Sequence, residues 1–452
     1  MYKDFMKINR KNRNMRSVRW CRTDDSVSIW ALIHLTITFL FLLAATMPST
    51  VCAGESPVID QIVLKTDRDE PIKPEAAGST ADGGFVIAGS AGSAAWSAKL
   101  DEKGETLWQY RTGFREDFPY PVPQAAEFRG VASMPDGTTF LCGNIPRPRD
   151  SGLPSALLTH LDSEGKKIDE RLIVPQGGLK ATRSLASFDA CATWDNGVVV
   201  IGKVFVLIKP GDAKDLPITQ NYYWITAFDT TGKMKWERFV PFRFDFLSVF
   251  VSRDVSVLGT KATLLFSVSD TKNTDLLSID THGDVTAQRR FSGYFKLIHS
   301  VENDLIIQLW GITATSQQPS LQPTLVTLDA ALQETHRVTA NPADGFVSGT
   351  TYRLSDNSLV SFGKGMHLIG RRDRGEAIQV SQELKLLRRF DLEQDDIDDT
   401  GQIWVATPTA TSTEFMVAKV AISRKFETQS TENAADSQSF KRGASIQFVK
   451  FR

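Results

Sequence analysis

The sequence is poor in the residues and motifs from which local catalytic and metal sites are built. Its 452 residues include only six histidines and four cysteines, and no two histidines stand at the spacing of zinc ligands. No His-Glu-x-x-His motif, Gly-x-Ser-x-Gly elbow or Walker-type phosphate loop occurs. We therefore predict no catalytic residue, no cofactor-binding residue and no metal ligand from a local motif, and no cofactor.

Single histidines carry little functional information in this chain. His160 and His282 stand beside repeated turn motifs, which predicts exposed loop or edge positions. His367 lies in an apolar segment and is predicted to be a strand residue rather than a base.

The sequence also lacks an excess of charge of either sign. Fifty-two basic residues stand against 53 acidic ones, so the formal net charge is −1. Charged residues make up 23% and hydrophobic residues 41% of the chain, which is ordinary globular composition and excludes a wholly disordered, collagen-like or coiled-coil protein. No basic stripe is present to neutralise phosphates, so the sequence predicts no nucleic-acid partner.

The N-terminal residues have the pattern of a secretory signal. Eight basic residues precede an apolar segment, Trp30–Met47, and small residues at Val51 and Ala53 suit cleavage after Ala53. We predict a signal peptide over residues 1–53, with the mature chain, residues 54–452, in the periplasm or outside the cell. The long basic region leaves Met6 or Met15 as alternative starts.

Two alternatives to cleavage remain open. The apolar segment, 18 residues long, could span a bilayer as an uncleaved anchor, which is the only membrane association that the sequence predicts. Lipidation at Cys52 is the other alternative, although Ser49-Thr50-Val51 lacks the Leu and the small residue that usually precede a lipidated cysteine. Removing eight basic and three acidic residues changes the formal net charge from −1 to −6 and leaves Cys142 and Cys191 as the remaining cysteines. An exported protein could pair these two, and the sequence leaves their pairing open.

The mature chain contains two recurring patterns. The first is a turn followed by an apolar strand that ends in glycine; its copies are Ala81–Gly89, Pro135–Gly143, Trp194–Gly202 and, more weakly, Ser355–Gly363. Asp-Gly or Asn-Gly between apolar segments is typical of a tight hairpin.

The second pattern is an alternating strand, an Asp-x-x-Gly turn and another strand. Its turn aspartates are Asp101, Asp162, Asp229, Asp280 and Asp329. The last of these copies lacks the glycine. These positions are 61, 67, 51 and 49 residues apart, and a degenerate sixth copy, Ala377–Phe390, follows 48–52 residues later.

Two hairpins in each unit of about 50 residues are the signature of a propeller blade. We predict an all-β fold, a single β-propeller with about seven four-stranded blades, with six or eight as alternatives. The apolar strands Phe85–Ala88, Val198–Ile201 and Leu305–Leu309 are predicted to be the buried inner ones. Tryptophans recur at equivalent positions and are predicted to pack blade against blade: Trp96, Trp108, Trp224 and Trp236.

The segment Ala227–Trp236 (AFDTTGKMKW) resembles the repeat of quinoprotein (PQQ-like) propellers, and Lys99–Trp108 is similar to it. This resemblance implies a propeller fold, because the superfamily includes enzymes, assembly factors and scaffolds. A quinoprotein dehydrogenase would need an adjacent-cysteine disulfide and a calcium site with a catalytic Asp. The chain has no Cys-Cys pair, so the resemblance does not extend to that activity.

One acidic segment, Asp391–Ile403, has a partial calcium-loop pattern. Asp396, Asp398 and Thr400 match the first half of such a loop, whereas Thr407 stands where a bidentate Glu is required. A solvated acidic loop is the favoured interpretation, and calcium binding stays the alternative.

Three irregular stretches interrupt the repeat: Phe114–Gln124, Asn144–Pro154 and Val204–Asn221. Propellers commonly bind ligands through such loops at one mouth of the ring. We name Phe114, Tyr120, Arg147 and Arg149 as candidate anchors, because aromatic and Arg side chains dominate binding energy at small interfaces.

Closing a ring requires a strand from one chain end to complete a blade begun at the other end. Pro57–Leu64 and Ala444–Phe451 are the predicted closing strands. The sequence thus predicts an exported, monomeric propeller that serves as a binding or scaffold protein, with a protein partner favoured over a small molecule. The alternative is an enzyme of lyase or glycoside hydrolase type whose site is assembled across blades at the central channel.

Overall fold

The β-strands follow the predicted repeat closely in the part of the chain that a computed structural model describes. The described part runs from residue 58 to residue 450. Its gaps are residues 65, 67–69, 71, 113–125, 147–153, 177–182, 209–217, 243–250, 259–260, 269–272, 293, 300–304, 314–319, 330, 340–345, 355, 367–374, 384, 392–403, 409–413 and 424–440. All described residues belong to one unit, Ala53–Arg452.

The described residues form 28 β-strands and no helix. The first thirteen strands are β1 Val58–Leu64, β2 Ile72–Ser79, β3 Phe85–Ala91, β4 Ala94–Leu100, β5 Thr106–Arg111, β6 Glu127–Ser133, β7 Thr139–Pro146, β8 Pro154–Leu161, β9 Lys167–Ile173, β10 Arg183–Thr193, β11 Gly197–Ile208, β12 Ile218–Asp229 and β13 Met234–Phe242. The remaining strands are β14 Val251–Leu258, β15 Lys261–Val268, β16 Asn273–Ile279, β17 Val285–Ser292, β18 Tyr294–His299, β19 Leu305–Thr313, β20 Ser320–Leu328, β21 Glu334–Thr339, β22 Phe346–Arg353, β23 Leu359–Met366, β24 Gly375–Val380, β25 Leu386–Asp391, β26 Trp404–Pro408, β27 Glu414–Ser423 and β28 Lys441–Lys450.

These strands pair as antiparallel groups of four, which confirms the predicted all-β propeller fold. Four sheets contain consecutive strands: β2–β5 (blade 1), β6–β9 (blade 2), β10–β13 (blade 3) and β14–β17 (blade 4). The groups β18–β21 and β22–β25 join into one eight-stranded sheet through a short parallel pairing of β18 with β22. Because of that pairing, the number of separate blades stays a prediction.

The ring closes as predicted from the two chain ends. The last sheet has the order β1-β28-β27-β26, and Ile62 of β1 lies opposite Ile446 of β28. The first strand of each group lies against the first strand of the next, from β2 through β6, β10, β14, β18 and β22 to β26, and β26 lies against β2. These first strands therefore form the inner edge of a closed ring.

The Asp-x-x-Gly turns join the third and fourth strands of a group. In the best-preserved copy, the Asp229 carboxylate accepts hydrogen bonds from the backbone N–H groups of Thr231 and Lys233, each 2.9 Å long. Gly232 adopts a φ of 81°, which favours glycine. In the copy that lacks glycine, Leu332 holds the same position with a φ of 60°. Hydrogen bonding to the Asp side chain therefore maintains the turn even where glycine is lost.

The fourth strand of one blade contacts the turn of the next blade. The indole N–H of Trp108 donates to the Ser163 carbonyl oxygen at 3.2 Å, and that of Trp236 donates to the Thr281 carbonyl oxygen at 2.9 Å. Two residues beyond the Trp position, Arg238 donates to the turn carbonyl oxygen of His282 at 3.0 Å, and Arg289 donates to that of Leu332 at 2.8 Å. These contacts confirm the predicted blade-to-blade role of these two tryptophans.

The other two tryptophans lie in the cores between sheets. Trp96 packs in a cluster with Leu64 of β1, and Trp224 packs in a cluster with Phe140 of β7. Trp224 also stacks on Phe188 of β10, with ring centroids 4.8 Å apart. Both tryptophans therefore join residues of different sheets, as predicted.

The three apolar strands were predicted to be the inner ones, and that position is wrong: they occupy the second position of their sheets. Phe85–Ala88 belongs to β3, Val198–Ile201 to β11 and Leu305–Leu309 to β19. The first two segments are fully buried, as expected. The second strand has a neighbour on each side and a packed sheet on each face, so it needs the most apolar sequence, whereas the first strand borders the inner edge.

Two further predictions are wrong in the described residues. The stretch Val204–Asn221 is not an irregular insertion at its ends, because residues 204–208 and 218–221 extend the hairpin of β11 and β12. His160 is not exposed: it lies within β8, is 4% exposed and stacks on Phe140 with centroids 4.0 Å apart. It shares a sheet face with Phe140, its cross-strand partner, and that face is covered. His282 is exposed, as predicted.

Candidate functional site

Three consecutive first strands share one irregularity. The register between the first and second strand of the sheet shifts by one residue at Glu75 in β2, at Arg129 in β6 and at Asp189 in β10. Each shift is a β-bulge, which leaves one residue outside the ladder and re-aims its side chain. All three bulged residues are charged, and all three lie at the inner edge of the ring.

The glycine that ends the first sequence pattern is what permits these bulges. Gly89, Gly143 and Gly202 lie opposite the residue that precedes the bulge. An ideal Cβ on each of them would lie 2.0, 2.0 and 1.9 Å, respectively, from a carbonyl oxygen of the first strand. No side chain fits so close to the backbone, so each of these bulges requires the glycine opposite it.

The bulged side chains belong to a continuous ionic array across blades 1, 2 and 3. Arg129 is central: its Nε donates to Glu127 Oε1 at 2.6 Å and its Nη1 donates to Asp189 Oδ1 at 3.0 Å. Lys73 forms a close ion pair with Glu75 and lies 3.9 Å from a Glu127 oxygen. We call these five residues the inner array: Lys73, Glu75, Glu127, Arg129 and Asp189.

The array has two cations and three carboxylates, so its formal charge is −1. Burial acts to lower the pKa of Arg129, but the charges of Asp189 and Glu127 outweigh burial and raise that pKa above its usual value. The Asp189 side chain is 6% exposed, whereas that of Lys73 is 47% exposed. The array therefore presents its Lys73 side to solvent and holds its Asp189 side within the protein.

One hydrogen bond beside the array joins two of its blades. The side-chain oxygen of buried Asn144 accepts a 3.0 Å hydrogen bond from the backbone N–H of Phe188, the residue before the Asp189 bulge. This bond joins blade 2 to blade 3 beside the array. Because every charged group of the array has an opposite charge nearby, and three of its five residues lie at β-bulges, the array is preorganised for recognition.

The described flanks of all three irregular stretches lie at one end of the sheets, in the same three blades whose first strands carry the array. We call this the start end, because β2, β6 and β10 begin there; the Asp-Gly and Asp-x-x-Gly turns lie at the opposite, turn end. Around the first stretch, the backbone N–H of Thr112 donates to the Ala95 carbonyl oxygen and that of Ala126 donates to the Ser93 carbonyl oxygen, both at 3.1 Å. Pro146 with Pro154, and Ile208 with Ile218, are the other flanks.

Several candidate residues from the sequence lie outside the described residues. These are Phe114, Tyr120, Arg147, Arg149 and His367, together with the partial calcium loop at Asp396, Asp398 and Thr400. Within the described residues, no three His, Cys, Asp or Glu side chains are placed to hold a metal ion. Cys142 and Cys191 are described, are buried and stand in adjacent blades.

Sequence reasoning missed the inner array. The usable signal was the terminal glycine of the first pattern together with a charged residue 14 positions earlier in two copies and 13 earlier in the third. The spacing is hidden because the intervening turn differs in length between copies.

Comparisons with known proteins find likenesses among solved structures alone. No protein-family model and no curated protein sequence match the chain. Among solved structures, BamB from Moraxella catarrhalis is similar with 12% identity and a TM-score of 0.44, covering 86% of this chain and 99% of that one. The hemagglutinin-neuraminidase ectodomain of parainfluenza virus 5 has 9% identity and a TM-score of 0.45, covering 94% and 96%. The polysaccharide lyase Uly1 has 8% identity and a TM-score of 0.46, covering 83% and 89%.

With TM-scores below 0.5, these likenesses carry no argument about activity, and the fold follows from the sheet topology. The chain is a β-propeller, and the inner array with the start end is its candidate site. No helix in the described part of the chain has the length and apolar character needed to cross a membrane.

Proposed function

We propose that this chain is an exported β-propeller that binds a protein partner in the periplasm or outside the cell and serves as a scaffold for it. The observation that carries the proposal is the placement of the flanks of all three irregular stretches at one end of the sheets, in the same three blades whose first strands carry the inner array. A rigid base with variable loops at one end is how propellers present a binding surface.

Several properties belong to this proposal. The mature chain begins at residue 54 after removal of a signal peptide, works as a monomer and needs no cofactor. Its formal charge of −6 after processing disfavours nucleic acid as a partner. Membrane attachment arises only if the N-terminal segment stays uncleaved.

The test is an affinity capture of the mature chain, Gly54–Arg452, from envelope and secreted fractions, read by mass spectrometry. We expect one dominant protein, whose recovery falls at least about tenfold when a shorter Gly-Ser linker replaces residues 147–153. The matched control is Glu102→Ala at the turn end, where the side chain is exposed; it is expected to leave recovery unchanged. If Glu102→Ala lost capture of the partner while the linker variant kept it, the start end would not be the binding face.

A second candidate function is an enzyme site assembled across blades, of lyase or glycoside hydrolase type. The observation in its favour is that three neighbouring first strands each carry a carboxylate of the array: Glu127 and Asp189 pair with Arg129, and Glu75 pairs with Lys73. Against it, each carboxylate is ion-paired, which suits recognition better than proton transfer. Incubation with anionic polysaccharides and glycosides, followed by chromatography, tests it: products formed by the wild type and lost in Glu75→Gln would favour the enzyme.

A further inference from the structure

The two cysteines of the mature chain meet between blades 2 and 3. Cys142 lies in β7 and Cys191 in β10, and their side chains are 0% and 7% exposed, respectively. Both belong to the apolar cluster that fills the space between these two sheets. The two thiols are within hydrogen-bonding contact of each other.

The backbone of β6 leaves room for both sulfur atoms at this point. An ideal Cβ on Gly130 would lie 2.6 Å from Cys142 Sγ and 2.9 Å from Cys191 Sγ, so any side chain there would displace both atoms. Gly130 is also the cross-strand partner of Cys142 and follows the Arg129 bulge directly. The bulge that re-aims Arg129 towards Asp189 therefore also sets the glycine beneath the two sulfurs.

We propose that Cys142 and Cys191 form a disulfide that joins blade 2 to blade 3. The proposal takes from the proposed function only the export of the chain, since exported proteins meet an oxidising compartment. Within the described residues no third Cys or His stands with the pair to complete a metal site. The bond would close a loop of about 50 residues and so restrict the unfolded chain.

The bond forms by two exchanges with a disulfide-bearing oxidant, either an exported oxidoreductase or glutathione disulfide. One cysteine thiolate attacks the oxidant and releases one of its sulfurs as a thiol, leaving a mixed disulfide. The second cysteine thiolate attacks the chain sulfur of that mixed disulfide and releases the other oxidant sulfur. The pair loses two electrons and two protons, and the oxidant gains two thiols.

The timing follows from burial. Burial raises the pKa of the Cys142 thiol well above its usual value, so the folded chain holds almost no thiolate there. The exchange therefore takes place while the chain folds, before blades 2 and 3 close. Once formed, the bond is shielded from soluble reductants by the same packing.

Refolding of the mature chain tests the bond without requiring export. The reduced, unfolded chain is refolded in a mixture of oxidised and reduced glutathione, quenched with acid, unfolded and treated with iodoacetamide. We expect neither cysteine to be alkylated, and proteolysis to yield the peptides of Cys142 and Cys191 joined with the loss of two hydrogens. Two alkylated cysteines in chain that has regained its β circular dichroism would overturn the proposal.

Thermal unfolding supplies the second measurement. Wild type that is unfolded and refolded with reductant present is expected to have a Tm about 5 °C below that of the oxidised wild type. The double variant Cys142→Ala/Cys191→Ala is expected to show the same Tm with and without reductant. An equal response of wild type and double variant to reductant would overturn the proposal. Protein recovered from the periplasm is assayed separately. If its cysteines are reduced although the refolded protein forms the disulfide, the result would contradict export of the chain and would leave the pairing of Cys142 with Cys191 standing.

Discussion

Gly143→Ala is the substitution that most directly perturbs the base of the inner array. The new Cβ would lie 2.0 Å from the Glu127 carbonyl oxygen and 2.7 Å from the Phe128 Cα, both of them backbone atoms that no rotamer change can move. Relief requires β6 to move away from β7 at the bulge, and that movement displaces Arg129 from Asp189.

The expected cost is large because strand separation adds to steric strain. Overpacking in a closed core costs about 1–3 kcal/mol, and loss of the Arg129–Asp189 contact adds about 1 kcal/mol after allowance for the partial exposure of Arg129. We expect the free energy of unfolding to fall by roughly 2–4 kcal/mol, measured by urea unfolding followed by circular dichroism. Capture of the partner is expected to weaken as well.

Gly83→Ala is the matched control. Gly83 has a φ of 84° and open space around its Cβ position, so alanine there meets only backbone strain of about 1 kcal/mol. If Gly143→Ala cost no more than Gly83→Ala, the explanation of the repeat glycine by the bulge would be wrong.

Three further predictions concern the rest of the ring. The hydrogen bond from buried Lys99 helps to lower the pKa of Asp82 from 3.8 to about 2, so its stabilisation exists above about pH 4 and is lost as the pH falls towards 2. Asp82→Asn should therefore cost about 1 kcal/mol at pH 7 and only a small fraction of that at pH 2; an equal difference at both pH values in urea titrations would refute this. Trp236→Ala should cost about 3 kcal/mol by removing its packing and its bond to Thr281, while Trp236→Phe should cost less; equal losses in thermal melts would contradict the packing role. Deleting residues 444–452 should lower the Tm on the order of 10 °C or more by exposing the edges of β1 and β27; an unchanged Tm would exclude this closure.

The fold could be predicted from sequence because its repeat is written in local turn chemistry. Asp229 and Gly232 act within one turn, so their spacing is visible along the chain. The structure extends this to the degenerate sixth copy, where the Ser381 hydroxyl oxygen accepts hydrogen bonds from the backbone N–H groups of Glu383 and Lys385 at 3.2 and 3.3 Å. A serine in place of the aspartate hides the turn from sequence inspection.

The inner array could not be predicted because it forms between repeats. Arg129 and Asp189 are 60 residues apart and meet only when two first strands lie side by side. The bulges that direct them are a property of strand pairing and not of composition. The burial of His160 was missed for a related reason: its alternation within β8, and not its nearness to a turn, decides which way it faces.

Photo-crosslinking at the two ends of the ring would test the central claim that the start end is the binding face. A photoreactive residue at exposed Ser93, in the hairpin of β3 and β4, marks the start end, and one at exposed Glu102 marks the turn end. Crosslinks to the captured partner from position 93 and none from position 102 are the result that the account predicts. Crosslinks from position 102 and none from position 93 would contradict it.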